Sequence, residues 1–307
     1  MNSASLNSQP LWAYLQLMRP ANIITAWGDI LAGYAASGFV LLISQEQIEP
    51  TTLVPLTWLL LSTTGLYGGG VVFNDVFDAQ IDAQERPERP IPSGRASRQG
   101  ATWLGSILLA IGVAAASQVT LLSFTLAAII ALAALLYDGI AKHHPWLGPL
   151  NMGVCRGGNL LLGMSFLPAM VEQRWFLALI PIAYIAAITA ISQGEVHGGK
   201  SSTGYFAVLI MGTVIMVFFA LGLLPDYQIL AALPLAVVLT VRILPAFVKA
   251  AREPSPELIQ GAVKAGILSL IVLDATLAAG FAGWPYGLLV LSLLPISTAL
   301  GKLFAVT

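Results

Sequence analysis

Charge is what this sequence most lacks. Only 14 Lys or Arg and 15 Asp or Glu occur in 307 residues, 9% of the chain, where an ordinary soluble domain carries about 25%. So few charges cannot cover the surface of a soluble globule of this size. Hydrophobic residues make up 57%, which excludes a disordered chain. The formal net charge of −1 leaves no global basic footprint for nucleic acid. Cys155 is the only cysteine, so no intrachain disulfide can form and cysteine usage says nothing of the redox compartment. No Walker-type loop is present, because Gly199-Lys200-Ser201 lacks the upstream glycine. A Cys/His zinc pattern and a Gly-x-Ser-x-Gly elbow are missing too. The class that remains is a polytopic membrane protein.

What the chain has instead is long apolar runs. A spanning helix needs about 20 mostly apolar residues. About ten stretches qualify, roughly 21–43, 52–74, 101–118, 119–137, 148–170, 175–192, 203–223, 227–248, 264–283 and 286–304. They show no alternation of period two, which a membrane barrel would require. The last two meet at Gly283-Trp284-Pro285, a turn or a kink in one long segment, so the expectation is nine or ten helices around a central cavity. Met1 to Gln9 is polar and lacks the basic n-region of a signal peptide, so the first run is read as a retained span.

The positive charges give an orientation. With the N-terminus inside and ten alternating spans, the inside set is Arg19, Arg86, Arg89, Arg95, Arg98, Lys142, Lys200, Lys249, Arg252, Lys264 and Lys302. Arg174 alone falls outside, and Arg156 and Arg242 lie within spans. Lys302 favours ten spans over nine, because ten return the C-terminus to the inside.

One inside loop carries chemistry. Asn74, Asp78 and Asp82 are spaced by four, so a continuing second helix would put them on one face. Clustered carboxylates repel unless a cation lies between them, and Mg²⁺ favours one or two carboxylates plus phosphate oxygens and water. The bland alternative is a solvated helix end. Arg86, Arg89, Arg95 and Arg98 follow, with Pro87, Pro90 and Pro92 stiffening the segment and Ser93-Gly94 making a turn. Acids beside a stiff arginine loop suit a diphosphate held through Mg²⁺. For the arginines the alternative is plain positive-inside topology.

The stretch Asn74-Asp-Val-Phe-Asp-Ala-Gln-Ile-Asp82, followed by Arg89-Pro-Ile-Pro-Ser-Gly94, resembles the first motif of the UbiA superfamily of intramembrane prenyltransferases. Arg19-Pro20 opening the first span, with Asn22 just inside, is similar to that family as well, and within it the chain looks most like the UbiA-like EboC proteins. The resemblance implies an all-α membrane fold and a chemistry. A polyprenyl diphosphate bound through Mg²⁺ ionises, and a lipophilic, aromatic acceptor attacks the allylic cation. This is transfer of an alkyl or aryl group other than methyl. Metal and arginines would stabilise the leaving diphosphate, and the apolar helices would hold the tail and keep water from the cation.

The family's second acidic motif, at the inside end of the sixth span, is weaker here. Aligned on Gly199-Lys200, the later acid falls on Glu195 and the earlier one on Ile191, which cannot bind a metal. The resemblance therefore implies Asn74, Asp78, Asp82 and Glu195 as catalytic metal ligands. Arg89, Arg86 and Lys200 would be the diphosphate contacts, with Asn22 beside them. His197 reads as an ordinary loop histidine.

Charges inside a bilayer are functional candidates by default. Arg156, Asn151 and Asn159 of the fifth span can share one face. They are expected either to contact acceptor or diphosphate in the cavity, or to form a structural pair with Asp29 or Asp274. Asp138 reads more readily as a loop acid than as part of the site. Asp274 has no obvious partner in the sequence.

The whole chain, 1–307, is read as one transmembrane domain. It has two four-helix halves, roughly 20–138 and 148–250, plus C-terminal helices. Its acidic motifs face the cytoplasm, and its partners are a prenyl diphosphate, a lipophilic acceptor and the bilayer. Two rivals remain at this stage. One is a non-catalytic isoprenoid-binding relative, for which Ile191 speaks. The other is a ten-helix transporter of lipophilic metabolites, which would place its polar groups near the bilayer midplane.

Overall fold

The computed structural model describes residues 10–38, 40 and 53–304. The polar start at Met1 to Gln9, and the far end of the first span with the loop after it, lie outside these residues. The described residues are almost wholly helical. α1 is Pro10–Leu17, α2 Pro20–Ala36, α3 Val54–Phe77, α4 Ala79–Glu85, α5 Arg98–Ala116, α6 Leu121–Gly139 and α7 Leu147–Met164. α8 is Pro168–Arg174, α9 Leu179–Ser192, α10 Ser201–Leu221, α11 Ile229–Arg252, α12 Pro256–Ala282, α13 Trp284–Leu291 and α14 Leu293–Leu303.

The helix starts follow local chemistry. Ser97 caps α5 by accepting from the Gly100 N–H, Thr120 caps α6 through the Ser123 N–H, and Ser255 caps α12 with Pro256 at its first position. Eight helical segments among the described residues are long and apolar enough to cross a membrane. They are α3, α5, α6, α8–α9, α10, α11, α12 and α13–α14. α2, at 17 residues, is just shorter, and α7 carries Arg156 and two asparagines. α2 is buried along most of its length, and α7 exposes Leu147, Leu150 and Val154 on one side. The outward faces are apolar: Trp103, Leu132, Leu209, Met216 and Val241 are each more than 60% exposed. Backbone polar groups are satisfied within the helices, as lipid demands. The chain is a multi-pass integral membrane protein.

Gly283 decides the nature of the last break. Its φ of 80 lies in the left-handed region, which glycine adopts at little cost. Beyond it α13 folds back along α12, so that a Cβ on Gly287 would meet Ala279 Cβ at 2.6 Å. α14 continues toward the start of α2: Ser297 Oγ donates to Ala21 O at 2.9 Å, and Phe304 stacks on Trp12 at 4.4 Å. The C-terminal helices thus return to the end of the bundle that carries Arg19. At the opposite end Arg174 pairs with Asp226 and donates to Ala36 O, and its guanidinium lies 4.9 Å from the Phe281 ring.

Small residues set the helix spacing where the site is built. A Cβ on Gly33 would lie 2.2 Å from Leu160 O, and one on Gly163 would lie 2.4 Å from Ile30 O. α2 and α7 therefore touch backbone to backbone, the close approach that glycine permits between membrane helices.

Candidate active site

The charged end of the bundle is where acids and bases meet. The hydrogen-bond ladder runs on through the junction of α3 and α4: Asp78 N bonds to Asn74 O at 3.0 Å and Asp82 N to Asp78 O at 2.8 Å. The expected shared backbone face is therefore present. The side chains, however, take three separate partners. Asn74 Nδ2 donates to Asp138 Oδ1 at 2.9 Å. Lys142 Nζ donates to Asp78 Oδ1 at 2.5 Å. Arg89 Nη1 donates to Asp82 Oδ2 at 2.7 Å and reaches Asp75 Oδ1 at 3.4 Å. Asp75 Oδ1 also accepts from Arg19 Nη2 at 2.5 Å. The three carboxylates Asp75, Asp78 and Asp82 thus face the three cations Arg19, Arg89 and Lys142, and the rim is close to neutral. Arg19 is the only non-glycine residue with positive φ among the described residues, at 49°.

The arginine loop is held rigid. Arg95 donates to Gln16 Oε1 at 2.7 Å, to Glu88 O at 2.7 Å and to Ser93 Oγ at 3.1 Å. Arg86 is exposed and borders a recess of about 410 Å³ together with Arg19, Asn22 and Arg89.

Inside the rim lies a cavity of about 400 Å³. Its mouth is polar, with Asn22 from α2, Asn74 from α3, Asp138 from α6, and Thr189, Ser192 and Glu195 across from them. Its walls are apolar, with Leu66, Ile130, Ile185, Ile188, Val263 and Leu270. Glu195 is half-buried, and Gln260 Nε2 holds its backbone oxygen at 3.0 Å. Burial pushes the Glu195 carboxyl above its ordinary value, and the charge of Arg86 pulls it part of the way back. The first motif's arginine loop and the second motif therefore meet across the mouth.

Deeper in, the buried Arg156 lines the wall. Its Nη2 donates to Thr25 O at 3.1 Å and to Thr25 Oγ1 at 3.3 Å. Its Nε lies 3.1 Å from Asp29 Oδ2, an ion pair whose N–H is not aimed along the contact. Asn159 Nδ2 donates to Ala26 O and to Asp29 Oδ2, both at 2.9 Å. Asp274 of α12 brings its carboxyl beside that of Asp29 and packs against Gly28. The structural pair with Asp29 and the place on the cavity wall are therefore both realised.

Several expectations need correction. Lys200 is exposed and lines neither recess, because the loop turns at Gly198, with φ of 81, and Gly199 N bonds to Pro254 O. Asn151 does not line the cavity; its Oδ1 accepts from the Cys155 thiol at 3.7 Å. Asp78, at the junction of α3 and α4, and Asp82, on α4, do not line the cavity. The four expected ligands do not form one cage: among the described residues no group of three or more His, Cys, Asp or Glu is placed to hold a metal ion. Ile191 is buried in the main core. Asp138 is part of the site, buried and bonded to Asn74. Its signal was its place at the inside end of the fourth span, level with Asn74. Asp75 lies within the first motif and Lys142 among the inside charges, but neither was expected at the site; the spacing by four passes over Asp75, and Lys142 comes from a distant loop.

Even so the donors fit a magnesium ion that arrives with phosphate. Mg²⁺ takes one or two carboxylates and fills the rest of its octahedron with phosphate oxygens and water. The rim offers Asp78, Asp138 and the Asn74 carbonyl oxygen, which is left free because the Asn74 amide nitrogen is the atom that bonds to Asp138.

An all-helical membrane protein with an apolar cavity and an acid-and-arginine mouth is the class that this fold and site define. The sequence matches the UbiA prenyltransferase family over residues 30–258. The chain belongs to that family. It is 28% identical to the digeranylgeranylglyceryl phosphate synthase of Methanothrix thermoacetophila over 229 residues, 70% of this chain and 82% of that protein. It is 32% identical to the synthase of the same name from Methanoculleus marisnigri, over 65% of this chain and 68% of that one. A UbiA homologue from Archaeoglobus fulgidus, solved bound to GPP and Mg²⁺, shares the fold with a TM-score of 0.63 at 19% identity. That likeness covers 91% of this chain and 99% of the homologue.

Proposed function

We propose that this protein transfers a prenyl group from a prenyl diphosphate to a lipophilic, aromatic acceptor within the membrane, with Mg²⁺ as cofactor. The observation that carries the reading is the pairing of carboxylates with cations at the mouth of a largely apolar cavity. Asn74, Asp78 and Asp138 would hold the metal, with Asp82 and Glu195 adding negative charge around it. When bound, Mg²⁺ would neutralise the diphosphate and stabilise it as a leaving group. Arg89 and Lys142, released from Asp82 and Asp78, turn to phosphate oxygens, and Arg86 and Arg19 add charge at the rim. The apolar walls take the isoprenoid and exclude water from the allylic cation. The mouth faces the cytosol, as the distribution of Lys and Arg supports.

The test uses purified protein in nanodiscs, Mg²⁺ and labelled prenyl diphosphates of several lengths. The expected result is Mg²⁺-dependent binding and diphosphate release with acceptor present, both lost in Asp78→Ala. No binding, with Asp78→Ala indistinguishable from the parent, would refute it. A second reading is favoured by one observation, the burial of Ile191 where the family's earlier acid would fall. A non-catalytic isoprenoid binder would show saturable Mg²⁺–diphosphate binding and no turnover with any acceptor.

A further inference from the structure

The polar cluster on the cavity wall has a donor and an acceptor that protein atoms do not use. Arg156 commits Nη2 to Thr25 and Nε to Asp29. Its Nη1 bonds to none of the described residues and is not sealed by them, so it is the part of the guanidinium at the cavity surface. Asn159 stands one turn on, on the same helix face. Its Nδ2 is fixed by two acceptors, Ala26 O and Asp29 Oδ2. That fixes the amide orientation and leaves Oδ1 unpaired at the cavity. An N–H donor and a carbonyl acceptor, three residues apart on α7, thus face the cavity, with Thr25, Thr63 and Tyr67 the other polar side chains lining it at this depth.

The charge of the cluster narrows the ligand further. Arg156 carries one positive charge. Asp29 balances it, and Asp274 adds either nothing or a further negative charge. The cluster therefore has no excess positive charge with which to offset a buried anion, and burying an uncompensated charge is costly. The depth is suitable for an acceptor. The guanidinium carbon lies 5.8 Å from the Tyr67 ring centre, and Tyr67 is two turns below Asn74, about 10 Å into the bundle. That is beneath the diphosphate end and within the same cavity.

We infer that Arg156 Nη1 and Asn159 Oδ1 form the acceptor subsite, and that it reads a neutral hydroxyl: a phenol, hydroquinone or alcohol that accepts from Arg156 and donates to Asn159. Asp29 and Asp274 are positioning residues that hold Arg156 and cancel its charge. The inference rests on the prenyl-transfer reading for its role, while the subsite itself is testable without turnover.

The experiment compares three ligands of matched shape, 4-octylphenol, 4-octylanisole and 4-octylbenzoate. Equilibrium binding is measured to the protein in nanodiscs, with empty discs as the partition blank. The phenol is expected to bind at least about tenfold more tightly than either analogue, since each analogue leaves a buried partner unpaired or adds a charge. Arg156→Met should erase that preference, and Asp29→Asn, which leaves the guanidinium uncompensated, should shift it toward the benzoate. If Asp29→Asn does not fold, the wild-type ranking and Arg156→Lys, which keeps the charge but loses the fork, still decide. Benzoate binding as tightly as phenol in the wild type, or an unchanged ranking in Arg156→Met, would overturn the inference. Binding of Mg²⁺ with geranyl thiolodiphosphate is measured in the same discs. Its loss with phenol selectivity intact would count against prenyl transfer and leave the hydroxyl subsite standing.

Discussion

The substitution Gly33→Ala should damage stability and site together. Gly33 lies on α2 one turn beyond Asp29, where α2 meets α7. A Cβ there would sit 2.2 Å from Leu160 O. Ordinary contact begins near 3.4 Å, so the helices must part by about 1 Å. The obstacle is backbone, so no rotamer change relieves it. Moving α7 outward stretches Arg156 to Thr25 from 3.1 Å and Asn159 to Asp29 from 2.9 Å, both beyond hydrogen-bond range. Overpacking costs about 1–3 kcal/mol, and a lost hydrogen bond to a charged group about 1.5–3 kcal/mol. The sum is roughly 3 kcal/mol or more. Thermal unfolding in detergent is the assay, with Gly212→Ala as control, since a Cβ at Gly212 meets nothing within 4 Å. The control should be neutral or slightly stabilising, because alanine is the better helix former by up to about 1 kcal/mol. Gly33→Ala should melt well below the parent. If the two variants melt alike, the backbone contact between α2 and α7 does not hold the cluster, and the reasoning fails.

Three further outcomes are expected. Asp138→Asn should lower Mg²⁺-dependent turnover by about 10- to 100-fold, the usual cost of altering a metal-binding shell, while far-UV circular dichroism stays unchanged. Lys200→Ala should leave diphosphate affinity within about twofold, because a surface charge that lines no recess contributes little. Arg89→Ala, measured beside it by the same titration, should weaken affinity at least about tenfold. The third concerns pH. Burial raises the Glu195 carboxyl above its ordinary value, so its proton is lost at higher pH than from a surface glutamate, and only then does it add negative charge beside the metal. Mg²⁺–diphosphate affinity should therefore rise as pH climbs through that value, and Glu195→Gln should remove this step from the affinity-against-pH curve.

Much of the fold was legible because a membrane simplifies the problem. An apolar run of about 20 residues in lipid has one stable form, a helix, since its backbone must satisfy itself. That is why the spans read along the chain match the helices closely. The positive charges predicted one common end, and Arg19, Arg89 and Lys142 do gather there with the acids. The site was legible in part. Spacing by four was enough to align Asn74, Asp78 and Asp82, because that is a property of one helix. It could not say that each would turn to a different partner, since Asp138 and Lys142 both lie 64 positions further along the chain.

What the sequence by itself determined is therefore the class of the protein, its helices and the chemistry at one end, all of which follow from local composition and from the solvent the chain must occupy. What only the tertiary structure decided is which of those residues meet. Lys200 carries the right charge but is exposed and lines neither recess, in a loop that turns at Gly198. Asp274 had no partner in the sequence, and packing of α12 on α2 brings its carboxyl beside that of Asp29. Arg156 is at once a structural pair and a cavity wall, a double role that depends on α2 and α7 touching at Gly33 and Gly163. Contacts between helices distant in sequence depend on packing, which the one-dimensional pattern of charge and hydrophobicity does not encode.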